Sequence, residues 1–162
     1  YMLNILRAFN GQTDGTFMER VGTGLLQPVF YSPSVFNYYP PDYIVPNTNA
    51  LGPEFAIQNT STALSRMNTV NTLVFSTLIA PDPTVIGATG TSLSMAALQA
   101  LAADPAQMVA KLDALLLHGT MSAQMGSAII AAVNVIPASD TLNRARTAAY
   151  LVTTSSQYQV QR

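Results

Sequence analysis

One histidine and eight carboxylates are the side chains of this sequence best able to move a proton near neutral pH, and there is no cysteine. The missing thiols remove disulfides, thiolate nucleophiles and every cysteine-based metal site together. His118 stands just before Gly119, where a helical pattern stops. An imidazolium there faces free carbonyls and the negative end of the helix dipole, so its expected role is capping, with general-base catalysis as the alternative. A serine hydrolase needs a nucleophile within reach of that ring. The usual Gly-x-Ser-x-Gly elbow is absent, and Ser94 in Gly90-Thr91-Ser92-Leu93-Ser94 does not replace it. Among the carboxylates, Asp104 and Asp140 precede helical patterns and read as caps. A glycosidase places two carboxyl groups roughly 5 to 10 Å apart across the scissile bond, and Asp42 with Glu54 is the pair nominated for that chemistry. Asp14-Gly15-Thr16 resembles the start of a calcium loop, but the alternating acidic ligands do not follow. Neither a metal site nor a cofactor is expected.

Binding chemistry is concentrated elsewhere. Between residues 27 and 55 the prolines Pro28, Pro33, Pro40, Pro41, Pro46 and Pro53 fix φ and remove backbone donors, which excludes a continuous helix. The same stretch carries Phe30, Tyr31, Phe36, Asn37, Tyr38, Tyr39, Tyr43 and Phe55. Aromatic side chains are depleted in disordered segments, so an ordered loop is expected. A tyrosine offers an apolar face while its hydroxyl stays hydrated, which suits a protein partner or a glycan. Tyr31, Phe36, Asn37, Tyr38, Tyr39 and Tyr43 are therefore the expected ligand-binding set; the alternative is a lid packed over the helices.

Composition narrows the classes further. Hydrophobic residues make up 49% of the 162 residues and charged ones 9%, against roughly a quarter charged in typical soluble domains. The surface must then be neutral and polar, built from Thr, Ser, Asn and Gln. A net charge of −1 with scattered cations leaves no footprint for phosphate backbones, so nucleic acid is not an expected partner. The low Lys and Glu content points to an exported protein, periplasmic or extracellular. No apolar run approaches the roughly 20 residues that span a bilayer, so no transmembrane segment is expected.

The elements that must position these groups read as helices. Met2, Ile5, Leu6 and Phe9 mark one helix that stops at Asn10-Gly11, and Phe17, Met18, Val21 and Leu25 mark a second. After the loop, Thr60 or Ser61 is expected to cap a long helix with Leu64, Met67, Val70, Val74 and Leu78 on its buried face, ending before Pro81. Residues 81–92, rich in Pro, Gly and Thr, read as a flexible connection. A short helix from Leu93 to Ala102 follows. Asp104-Pro105 then opens a helix buried through Met108, Val109, Leu112, Leu115 and Leu116. Ser122 caps another, carrying Met125, Ile129, Ala132, Val133 and Ile136. Asp140 opens the last, with Leu142, Ala145, Ala149 and Val152 inward, ending near Ser155 before a tail from Gln157 to Arg162. The expected fold is all-α, an irregular multi-helix arrangement over residues 1–162 with one long Pro- and aromatic-rich ordered loop.

Several stretches together resemble the C-terminal part of the bacterial domain-of-unknown-function 1800 family. They are Gln27-Pro28-Val29-Phe30 with Ser32-Pro33-Ser34-Val35-Phe36-Asn37-Tyr38-Tyr39 and Pro53-Glu54-Phe55, then His118-Gly119-Thr120-Met121-Ser122. The last runs from Arg144-x-Arg146-Thr147-Ala148-Ala149-Tyr150-Leu151-Val152 to Ser156-Gln157-Tyr158-Gln159-Val160-Gln161-Arg162. Leu26 stands where the family commonly has glycine, and Ser156 where a proline is common. The resemblance implies a helix-rich, exported protein with several hundred preceding residues, and it supplies no catalytic residue. The expected function is binding or assembly through the aromatic loop. The rivals are a hydrolase acting on polysaccharide or ester, and a structural half of an enzyme whose chemistry lies in the missing N-terminal part.

Overall fold

Three alanines and a valine, Ala145, Ala148, Ala149 and Val152, are fully buried along one helix and set the geometry of the molecule. Such small side chains let neighbouring helices approach closely, and this helix meets five others. The structure is a computed structural model and describes residues 1–159. Its helices are α1 (Met2–Ala8), α2 (Thr16–Gly22), α3 (Thr60–Phe75), α4 (Ala96–Gln99), α5 (Pro105–Leu112), α6 (Ala123–Asn134), α7 (Thr141–Thr153) and α8 (Ser156–Gln159). The alanine-rich helix is α7, and α3, α4, α5, α6 and α8 meet it. One hydrophobic cluster joins α1, α2 and α3 to α5, α6 and α7 through Ile5, Phe17, Leu73, Met108, Val133 and Val152.

The caps follow the side-chain chemistry at each helix start. Asp104 Oδ1 accepts from the amides of Ala106 and Gln107, with Pro105 at the first helical position. Ser122 Oγ accepts from Met125 N, and Asp140 from Asn143 N. For α3 the cap lies one residue earlier than expected. Asn59 accepts from Thr62 N at 3.0 Å while Thr62 Oγ1 accepts from Asn59 N at 2.9 Å, a reciprocal capping box in which threonine takes the place of the usual glutamate.

The buried face of α3 is also rotated from the expected one. Thr62, Arg66, Thr69, Val70, Leu73 and Val74 face inward, whereas Leu64 and Met67 are exposed. Both stripes share Val70 and Val74; which one turns inward is decided by α7 and by the segment before the helix, not by the hydrophobicity of α3 alone. The helix ends at Phe75, so Leu78 lies outside it and is exposed. The chain leaves α3 extended at Ser76, and Ile79 then exchanges backbone hydrogen bonds with Thr91. The helix expected over residues 93–102 contracts to α4.

The fold is mostly helical, but it contains a small antiparallel sheet that helical periodicity did not reveal. Strand β1 (Gln12–Thr13) pairs with β2 (Thr91–Ser92), Gln12 opposite Ser92 and Thr13 opposite Thr91. The hydroxyls of Thr13 and Thr91 lie 2.8 Å apart, and Thr91 is fully buried. Asp14 fastens the same corner: one carboxylate oxygen accepts from the amide and hydroxyl of Thr16, the other from Gly90 N. Those three bonds hold the Asp14 carboxyl down to about 2. Gly90 is the one residue type this corner accepts, since its φ is +84° and a Cβ there would meet the Ile79 carbonyl oxygen.

Candidate functional site

Two features invite a functional reading, an exposed aromatic segment and a cleft beside it. The segment follows the short 3-10 turn Thr23–Leu25 and precedes the 3-10 turn Pro53–Ile57. Between them the chain is built from turns, closed by isolated bridges between Ser34 and Asn37 and between Ile44 and Leu51. Side chains hold these turns. Ser34 Oγ accepts from Phe36 N, Thr48 Oγ1 donates to the Val45 carbonyl, and the Tyr38 hydroxyl donates to the Pro28 carbonyl. Asn37 takes φ +60°, a backbone region that asparagine tolerates better than most residues.

The aromatic residues of this segment point away from the helical core. Phe30 is 98% exposed, Val35 95% and Tyr31 76%, and Phe36, Tyr39, Ile44 and Leu51 are also exposed. Tyr38 and Tyr43 are half-buried. A lid would hide these groups against the helices; here no member of the hydrophobic cluster comes from residues 26–56.

The cleft, of about 710 Å³, is lined by Tyr1, Asn4, Tyr39, Glu54, Gln58, Arg66, His118, Gln157 and Tyr158 among others. Arg66, only 5% exposed, is part of that lining. The guanidinium donates from Nη2 to the Ile57 carbonyl at 3.2 Å and lies over the Tyr1 ring, 5.7 Å from its centroid. The Tyr1 and Tyr158 rings meet tilted at 49° with centroids 5.5 Å apart, the Tyr158 hydroxyl donating to the Tyr1 carbonyl and the Tyr1 hydroxyl to that of Thr153. Burial pushes both phenols above their ordinary range.

His118 reaches the cleft through the geometry at the end of α5. The helix widens into a π turn over Asp113–Leu117, burying Leu116 and Leu117, and His118 follows at φ +55° in the left-handed region. Its backbone N–H donates to the Asp113 carbonyl. The Asp113 carboxylate accepts from Met121 N and so pins the turn that carries the histidine. Nothing in the hydrophobic periodicity announced the π turn. The left-handed residue is His118 itself, followed by Gly119 at φ +80°.

The structure thus divides the residues nominated from sequence. Glu54, His118 and Tyr39 line one cleft. Asp42 is exposed on the aromatic segment and is not among the residues lining that cleft. Tyr31, Phe36, Asn37, Tyr38 and Tyr43 also lie outside it. Among the described residues no serine lines the cleft, and Ser94 is elsewhere, donating its amide to the Phe9 carbonyl. Arg66 was missed by sequence reasoning. The signal available was a cation in step with Thr62, Val70 and Leu73, one helical turn from each neighbour on a stripe that proves to be buried.

No helix among the described residues is long and apolar enough to cross a membrane. No curated protein and no solved structure matches the chain. A family model matches residues 1–160, and the chain belongs to that family, the proteins of unknown function DUF1800.

Proposed function

We propose that this is an exported binding or assembly domain whose contact surface is the aromatic segment between the two 3-10 turns. The observation that carries the reading is order without burial. Phe30, Tyr31, Val35 and Phe36 stand in solvent on a chain tied by its own hydrogen bonds. Aromatic residues clustered on a surface are the composition of interface cores, and a segment fixed beforehand loses little freedom when it binds. A composition poor in Lys and Glu supports export.

Replacing Phe30, Tyr31 and Phe36 together by serine tests the reading, because none of the three joins the hydrophobic core. The variant should keep its thermal midpoint within a few degrees and lose the protein or glycan that co-purifies with the wild type from the native bacterium. Full recovery of that ligand by the stable variant would overturn the proposal.

A second reading, hydrolysis of a polysaccharide or ester, is favoured by one observation: Glu54 and His118 share a cleft of a size that suits a small substrate. Turnover of a glycan or ester by the protein would distinguish it from pure binding.

A further inference from the structure

Arg66 is a buried cation for which the described residues supply no counter-ion. Among the described residues it makes one hydrogen bond, to the neutral Ile57 carbonyl, and forms no ion pair with a carboxylate. Burying a charge is costly unless it is paired, and a guanidinium carries five N–H donors. The other buried arginine, Arg144, shows how this fold satisfies such a group when its role is structural. Its Nε donates to the Ile136 carbonyl at 2.9 Å and its Nη1 to the Ala102 carbonyl at 2.8 Å, tying the end of α6 to the chain after α4. Arg66 has no such second tie, and it forms part of the wall of the 710 Å³ cleft.

We infer that the cleft binds a small organic carboxylate, with Arg66 as its anchor. The guanidinium carbon lies over the Tyr1 ring, 5.7 Å from its centroid, and one Nη2 proton is committed to Ile57. The remaining N–H groups form the planar fork that matches a carboxylate in two parallel bonds. Among the described residues the lining around it is short of negative charge: Asn4, Gln58, Gln157 and His118 against one carboxylate, that of the exposed Glu54. The rings of Tyr1 and Tyr158 supply an apolar wall for the body of the ligand. The volume suits a ligand of several hundred cubic ångströms, and a peptide C-terminus and an acidic sugar share the required chemistry. This inference does not depend on the aromatic segment being a contact surface.

Calorimetric titration of the intact protein with two matched pairs tests it: N-acetyltyrosine against N-acetyltyrosinamide, and galacturonate against its methyl ester. The acid should bind about tenfold or more tightly than its neutral partner in one pair, the gain of a charge-assisted bond, and that pair identifies the source. Arg66→Gln should abolish the difference. Glu54→Gln, at an exposed position, should at low salt raise the acid's affinity a few-fold more than the neutral partner's. Equal affinities within both pairs overturn the inference, as does an acid preference that survives in folded Arg66→Gln. If that variant does not fold, an acid affinity that Glu54→Gln raises no more than the neutral partner's at low salt overturns it.

Discussion

Asp14 commits both carboxylate oxygens to its own chain, and this explains why an acidic residue beside glycine and threonine need not signal calcium. Its bonds to Thr16 and Gly90 stabilise the ionised form and lower its pKa to about 2 from an ordinary value near 4. A depressed folded-state pKa contributes stability that is complete above the unfolded value and is lost as pH falls through the folded one. Asp14→Asn should therefore be less stable than the wild type at pH 6, with a gap that narrows from about pH 4 down to about pH 2. Denaturant titrations at a series of pH values measure this; a gap constant across that window contradicts it. At this scale the legible residues were the ones whose job is local. Asp104, Ser122 and Asp140 cap the helices they were expected to cap, because a cap needs only the next three amides. Gly90 and Arg66 were opaque. Each answers to a group near in space but remote in sequence, the Ile79 carbonyl for one and the Tyr1 ring for the other.

Helix α3 shows the limit of periodicity as a guide to elements. Leu64, Met67, Val70 and Val74 make a plausible stripe, yet the stripe that turns inward carries two threonines and an arginine. Thr62 is used twice, in the capping box and in the buried face, and Arg66 lines the cleft. The consequence is measurable. Leu73→Ala, at a position 1% exposed, should cost about 2–5 kcal/mol, whereas Leu64→Ala should change stability by no more than about 0.5 kcal/mol. Equal losses in chemical denaturation would show that the orientation of α3 is wrong. The two-stranded sheet escaped notice for a related reason. Strands of two residues have no alternation to detect, and their pairing joins Thr13 to Thr91, 78 residues apart in the chain.

The whole molecule separates a helical core from an aromatic surface. The hydrophobic cluster is assembled without any side chain from residues 26–56, so the segment bearing Phe30, Tyr31 and Phe36 can be altered while the core stands. Its proline content excluded a helix at first sight, but the direction its rings face was not legible. Whether aromatic residues cover a core or leave it depends on whether the helices close the core themselves, and here the small residues of α7 let them do so. The cleft was equally hidden, since it joins Tyr1, the 3-10 turn before α3, the turn after the π helix and α8. Residues that line it are scattered from Tyr1 to Gln159, and among them Tyr39, Glu54, Phe55 and His118 drew attention by type.

Photo-crosslinking reads directly whether the aromatic segment is a surface for another molecule. A photoreactive phenylalanine analogue at position 30, 31, 35 or 36 should capture a discrete adduct in the native bacterium. The same analogue at Asn134 or Ser127, exposed on α6, should capture none. Adducts of equal yield at the loop and at the α6 positions, or no adduct at any of the four loop positions, would contradict the account.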